Sequence, residues 1–201
     1  MRILAISGSP RKGGNTEILL GEALDGAKAD GAEVELYRIS GKNIQPCDGC
    51  WTCMKEGKCH VKDDMQELYE KFFAADGIII GTPIYYYAMT AQTKTMIDRS
   101  MPMGHPNRNI AGKIGGVIVV GGSLGLVDAL KDIYFYYVNQ QVVPANYVAA
   151  YGGARGDVNK LEKGKQAAHN LGRQMVRLVQ QGFKYPPEFI LPHFAYGTHT
   201  F

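Results

Sequence analysis

No stretch of this sequence approaches the roughly 18 consecutive apolar residues that a membrane-spanning helix requires, so no membrane anchor is expected. Neither sign of charge dominates: 22 Lys and Arg stand against 19 Asp and Glu, a net charge of +3. That excess is too mild to argue for nucleic acid or a membrane surface as partner. Internal repeats and low-complexity stretches are missing. Met1-Arg2 runs straight into a folding segment with no cleavable apolar leader, which predicts a cytoplasmic chain and not a secreted one. At 201 residues, 45% hydrophobic and 20% charged, the chain suits one soluble domain with a single sizeable core.

Cysteine is scarce in an informative way. There are four, Cys47, Cys50, Cys53 and Cys59, in a C-x2-C-x2-C-x5-C run, and none elsewhere. Two disulfides inside so tight a loop would staple very little chain, and no oxidising compartment is indicated. Zinc usually takes two C-x2-4-C knuckles separated by a longer spacer. Three cysteines at overlapping x2 spacings are closer to the compact loops that hold a 4Fe–4S cube. An iron–sulfur cluster is therefore the leading expectation, with zinc and redox-active or free thiols as the alternatives. His60, beside Cys59, reads as an exposed loop histidine, and Trp51 as a shield for the centre or an interface residue.

Along the chain, short β-branched runs alternate with longer amphipathic segments. Strands are expected at about 2–7, 33–39, 77–81, 114–120 and 147–151. Helices are expected at about 16–29, 63–75, 90–100, 126–139 and 161–181. The Ile78-Ile79-Ile80 run reads as buried on both faces. This pattern predicts an α/β, flavodoxin-like, doubly wound five-stranded parallel sheet of order 2-1-3-4-5. The organisation expected is a domain over 1–183, with a cysteine-rich loop at 46–62, and an aromatic, Pro-punctuated tail over 184–201. Such a tail packs either on its own domain or on a partner subunit, and the partner is the expectation taken forward.

Two loops at the carboxyl edge carry the binding chemistry. The first is Ser7-Gly8-Ser9-Pro10-Arg11-Lys12-Gly13-Gly14-Asn15-Thr16. It lacks the Gly-Lys-Ser/Thr of a P-loop, and Pro10 stands where a dinucleotide fingerprint needs its second glycine. What remains is a helix N-terminus offering backbone N–H groups to a single anion. Ser9, Asn15 and Thr16 add neutral donors and Arg11 a charged fork. The alternative is a tight turn that merely caps the helix. The second loop, Thr82-Pro83-Ile84-Tyr85-Tyr86-Tyr87, offers an aromatic platform across the switch point between strands 1 and 3. Gly121-Gly122-Ser123-Leu124-Gly125 could present backbone N–H groups to a ring edge. An aromatic platform beside a monophosphate site suits a planar heterocycle on a phosphorylated chain, and flavin mononucleotide (FMN) is the expectation.

Gly8-Ser9-Pro10-Arg11 followed by Gly14-Asn15-Thr16 is similar to the FMN-phosphate loop of the NADPH-dependent FMN reductase superfamily. Thr82-Pro83-Ile84-Tyr85, with Ala91-Gln92-Thr93-Lys94 and Ile97-Asp98-Arg99, resembles that superfamily's second flavin loop and helix. With the cysteine run added, residues 1–180 resemble the iron–sulfur flavoproteins. The resemblance implies phosphate contacts at Ser9, Arg11, Asn15 and Thr16, and ring contacts at Pro83, Ile84, Tyr85, Tyr86, Gly122 and Ser123. It implies a 4Fe–4S cluster on Cys47, Cys50, Cys53 and Cys59. It also implies homodimers that pair into homotetramers, with one subunit's cluster near a neighbour's flavin.

The expected function is a flavin-dependent oxidoreductase moving electrons between one-electron carriers and a two-electron acceptor, with no catalytic side chain because the cofactors carry the chemistry. The rivals are a cluster-free NAD(P)H-dependent reductase of quinones, azo dyes or free flavin, a non-enzymatic flavodoxin-like shuttle, and a thiol redox sensor. No second pyrophosphate fingerprint is present, which points to a ferredoxin as donor ahead of NAD(P)H. Lys55, Lys58 and Lys62 form a basic rim for it, with Arg108 and Lys113 extending the rim where the fold brings them near.

Overall fold

The computed structural model describes residues 1–106 and 109–190. Its elements run β1 (Arg2–Ser7), α1 (Asn15–Ala29), β2 (Glu33–Arg38), α2 (Thr52–Glu56), α3 (Met65–Ala74), β3 (Gly77–Tyr85), β4 (Ala88–Met89), α4 (Ala91–Asp98), α5 (Met101–Gly104), β5 (Ile114–Gly121), α6 (Leu126–Asn139), β6 (Val143–Tyr151) and α7 (Glu162–Gln180). The sheet order is β2-β1-β3-β5-β6, all parallel, with β4 pairing antiparallel to β3 off this path.

Alternating side chains divide the core into two layers. Leu4, Ile6, Ile78, Ile80, Val117 and Val119 face α3 and α6. Ile3, Ala5, Ile79, Ile118 and Val120 face α1 and α7. All three residues of the Ile78-Ile79-Ile80 run are fully buried. The two outer helices α1 and α7 approach closely because each is notched. A Cβ at Gly26 would lie 2.0 Å from the His169 carbonyl oxygen, and one at Gly172 would lie 1.8 Å from that of Ala23.

The five-strand expectation needs one correction. β3 does not stop at Gly81 but continues to Tyr85, and the chain folds back as β4, pairing Ile84 with Met89 and Tyr85 with Ala88. The turn is a two-residue hairpin in which Tyr86 and Tyr87 both hold positive φ, 47° and 65°. Right-handed strand twist favours such a primed turn, but Asn-Gly is its usual signature. Tyr-Tyr gives no such signal, so 82–87 reads as a plain loop. The sheet therefore has six strands. A second short element, α2, lies inside the cysteine loop, where no helix is expected.

Of the aromatic tail, residues 184–190 are described and 191–201 are not. Gln141 Nε2 donates to the Phe189 carbonyl oxygen at 2.5 Å, and Tyr185 lies over Gly112, so this first part rests on its own domain.

Candidate functional site

The loops after β1, β3, β5 and β6 meet over the carboxyl edge of the sheet, where the order of strands reverses and an open α/β fold leaves a crevice. One wall is polar: Ser9, Arg11, Asn15 and Thr16. The other is apolar and aromatic: Pro83, Ile84, Tyr85 and Val120. Gly121, Gly122, Gly152 and Gly153 line it with bare backbone. The N-terminus of α1 opens into this crevice behind Gly14, with no side chain capping it. Its first-turn N–H groups and positive dipole end are left for an anion.

The loop is held from behind. Glu17 is buried and accepts from Gly13 N at 2.8 Å and Arg38 Nε at 3.0 Å, which matches its charge with a cation. Thr90 caps α4 and donates its hydroxyl to the Gly8 carbonyl oxygen at 2.8 Å. Thr82, Thr90 and Thr93 form one buried hydroxyl cluster, which ties the first loop to the second.

Eight of the ten expected cofactor residues line the crevice: Ser9, Arg11, Asn15, Thr16, Pro83, Ile84, Tyr85 and Gly122. Two do not. Tyr86 is 99% exposed at the hairpin tip, and Ser123 is exposed beyond Gly122. Asn15 is engaged within the protein: its amide donates to the Ala154 carbonyl oxygen at 2.8 Å and its oxygen accepts from Gly156 N at 2.8 Å. It thus staples the first loop to the loop after β6. No local sequence pattern marks that last loop. It brings Gly152, Gly153 and Arg155, whose guanidinium donates to the carbonyl oxygens of Lys12 and Gly13. A donor set for one phosphate beside a flat apolar wall, with glycine backbone along the ring edge, fits FMN.

The second site lies in the loop after β2. Cys47, Cys50, Cys53 and Cys59 line one small cavity, walled by Trp51, Val61, Asp98, Arg99, Met101 and Pro102. All four thiols are free. Cys59 packs against the core, and burial followed by the nearby Cys59, Cys47 and Cys50 pushes the Cys53 thiol up. The donor set fits a cluster.

Arg99 fixes the loop at both ends. It is 1% exposed. Its two terminal nitrogens grip both oxygens of Asp63, at 2.7 and 3.1 Å, and reach the carbonyl oxygens of Gln45 at 2.7 Å and Val61 at 3.4 Å. Burial alone would raise the Asp63 pKa. The Arg99 pairing, with the amides of Gln45 and Met65, outweighs it and holds the carboxyl below its ordinary value. His60 is exposed as expected and pairs with Asp48, 2.7 Å away. Those two and Cys50 bring their ligand atoms within 4.8 Å of one another.

The sequence profile described as NADPH-dependent FMN reductase matches residues 1–154. The chain belongs to this family. It is a flavin-dependent oxidoreductase whose family uses FMN. Two curated relatives extend the match along the chain. An iron–sulfur flavoprotein of Methanocaldococcus jannaschii is 38% identical over 192 residues, covering 90% of this chain and 98% of its own length. One of Archaeoglobus fulgidus is 35% identical over 192 residues, covering 93% and 84%. Among solved structures, a flavodoxin from the domain Archaea superposes with a TM-score of 0.56 at 18% identity, covering 90% of this chain and 99% of its own. That likeness shows the flavodoxin-like fold. Among the described residues, no helix is long and apolar enough to cross a membrane.

Proposed function

We propose that this reductase carries a 4Fe–4S cluster on Cys47, Cys50, Cys53 and Cys59, and that it moves electrons between one-electron carriers and a two-electron acceptor. The observation that carries the reading is the cavity common to all four cysteines. It lies at the carboxyl end of α4, while the amino end of α4 is bonded to the first crevice loop through Thr90 and Gly8. One eight-residue helix, about 12 Å long at 1.5 Å per residue, therefore connects the two sites. The names of the two curated relatives support the same reading.

In the crevice, the α1 N-terminus with Ser9, Thr16 and Arg11 would hold the FMN phosphate. Tyr85, Pro83 and Ile84 would lie against the ring, with Gly121, Gly122, Gly152 and Gly153 letting backbone approach its edge. Bound there, FMN supplies hydride or single-electron transfer, and the cluster supplies single electrons. The protein's part is to bind, orient and shield. Asn15 and Arg155 would keep the phosphate loop closed against the loop after β6. No side chain is required as a nucleophile.

The donor is proposed to be a small acidic one-electron protein such as a ferredoxin. Lys55, Lys58 and Lys62 are exposed on the cysteine loop, which supports a basic rim there. Lys113 is not part of it. It sits at the amino end of β5 with its ammonium donating to the carbonyl oxygens of Phe73 and Ala75. Arg108 lies outside the described residues. The chain is proposed to form homodimers or homotetramers with the tail crossing an interface, and truncation after Gly182 should then lower the sedimenting mass. A mass left unchanged would favour packing of the tail on its own subunit.

A second reading is a cluster-free reductase that takes its electrons from NADPH, which the family description favours. Anaerobic iron and sulfide analysis separates the two. About four irons per chain are expected for the first reading, and none for the second.

A further inference from the structure

The Arg99 side chain holds five N–H donors in a fixed fork. Both terminal nitrogens are fully employed, on Asp63 and on the carbonyl oxygens of Gln45 and Val61. Nε has no partner and is buried. An unpaired donor on a buried cation is costly, because the desolvation penalty goes unrecovered. The residue is nonetheless one wall of the cavity that the four cysteines share. Among the described residues it is the only cation lining that cavity.

The other two charges on the wall are each matched outside it. Lys94 Nζ lies 2.6 Å from an Asp98 oxygen, and His60 pairs with Asp48. Arg99 is different in kind, since its own pairing leaves one N–H over.

We propose that Arg99 Nε–H is held for a sulfur of the cysteine-bound centre, so that this side chain both clamps the loop and sets the centre's reduction potential. This rests on the cluster reading above and adds to it a residue with an electrostatic task. Adding one electron to the centre increases its negative charge. A buried guanidinium with an N–H···S bond stabilises that added charge and raises the potential. Arg99 gives up no proton; the electron comes from the one-electron carrier and leaves toward the flavin. Arg99 is thus a positioning and tuning residue and not a catalytic one.

The test uses the anaerobically reconstituted full chain. In wild-type protein labelled with 15N-arginine, the reduced centre should show a 15N hyperfine coupling, with an exchangeable proton lost in deuterated water. In R99Q, the ratio of reduced to oxidised centre at a fixed potential should fall about tenfold, which is about 59 mV for one electron. R99K, which keeps a charge but not the fork, should fall by less. Iron present with no arginine coupling in the wild type overturns this inference alone, and so does an unchanged potential in R99Q. A reconstituted wild type without iron overturns the cluster reading and this inference with it. Because the coupling is read in the wild type, a variant that fails to assemble leaves the question decided by that spectrum.

Discussion

Thr90 Oγ1 donates to the Gly8 carbonyl oxygen at 2.8 Å, which makes the cap of α4 a brace for the first crevice loop. The approach is close because Gly8 has no side chain: a Cβ there would sit 1.9 Å from Thr93 Oγ1. The two walls of the crevice are therefore joined through one buried hydroxyl cluster. Thr90→Val keeps the shape but removes the cap and leaves the Gly8 carbonyl without this donor. It should cost about 1–3 kcal/mol of stability and weaken FMN, measured by urea unfolding with and without cofactor. A variant as stable as the parent, with FMN affinity unchanged, would show that the brace is dispensable.

The legible parts of this molecule are those in which residue type and period agree. Ile78-Ile79-Ile80 announces a strand buried on both faces, and a hydroxyl- and glycine-rich loop at a helix entry announces an anion site. Three things were hidden for identifiable reasons. The Tyr86-Tyr87 turn adopts a backbone that its residues disfavour, so no turn signal marks β4. Gly152, Gly153 and Arg155 look like any loop until the sheet order brings them beside Asn15, 139 residues from Ala154. Arg99 resembles part of a flavin-contacting helix, yet it lines the cysteine cavity and grips Asp63. The last two depend on long-range neighbours that no local pattern encodes.

Arg11 is exposed beside the uncapped end of α1 and lines the crevice. Arg11→Ala removes a charged donor without touching the core. FMN binding should weaken by roughly 1.5–3 kcal/mol, with folding stability of the cofactor-free protein nearly unchanged. Titration of the cofactor-free protein with FMN, followed by flavin fluorescence quenching, reads the first quantity. An unchanged affinity would move the phosphate away from this loop.

Cys53 is half-buried at the centre of the cysteine run, and its side chain lines the shared cavity but not the crevice. Cys53→Ala should abolish the broad visible absorption of the cluster while FMN stays bound. Iron analysis and heat-released flavin, measured on one anaerobic preparation, check both halves. Flavin lost together with iron would mean that the two sites are not separately built.

The Asp63–Arg99 pair gives the cysteine loop a defined response to acid. The folded-state pKa of Asp63 lies below its ordinary 3.8. A depressed carboxylate contributes stability that is present above the unfolded value and is lost as pH falls through the lower folded value. Asp63→Asn, which leaves a buried guanidinium underpaired, should destabilise the protein by about 3–5 kcal/mol near neutral pH. The gap between parent and variant should shrink as pH drops below 3.8. Urea unfolding across that range reads it, and a gap independent of pH would assign the loss to packing instead of charge.

The direction of electron flow can be tested through the rim of the cysteine loop. Lys55, Lys58 and Lys62 are exposed there, so an acidic carrier would be drawn to the loop by charge before any close contact forms. Such steering is screened by salt, and it weakens as the Debye length shortens toward about 3 Å at 1 M. A nicotinamide has no dedicated second pyrophosphate loop in this sequence and would have to stack over the flavin in the open crevice. Stopped-flow reduction of the flavin by reduced ferredoxin should therefore be fast at low salt and slow steeply as salt rises. Replacing Lys55, Lys58 and Lys62 together by Glu should slow it at low salt and flatten the salt dependence, with flavin and iron content unchanged. Reduction by NADPH should be slower and indifferent to the three substitutions. Rapid reduction by NADPH with no response to ferredoxin would reverse the assignment and make the nicotinamide the donor.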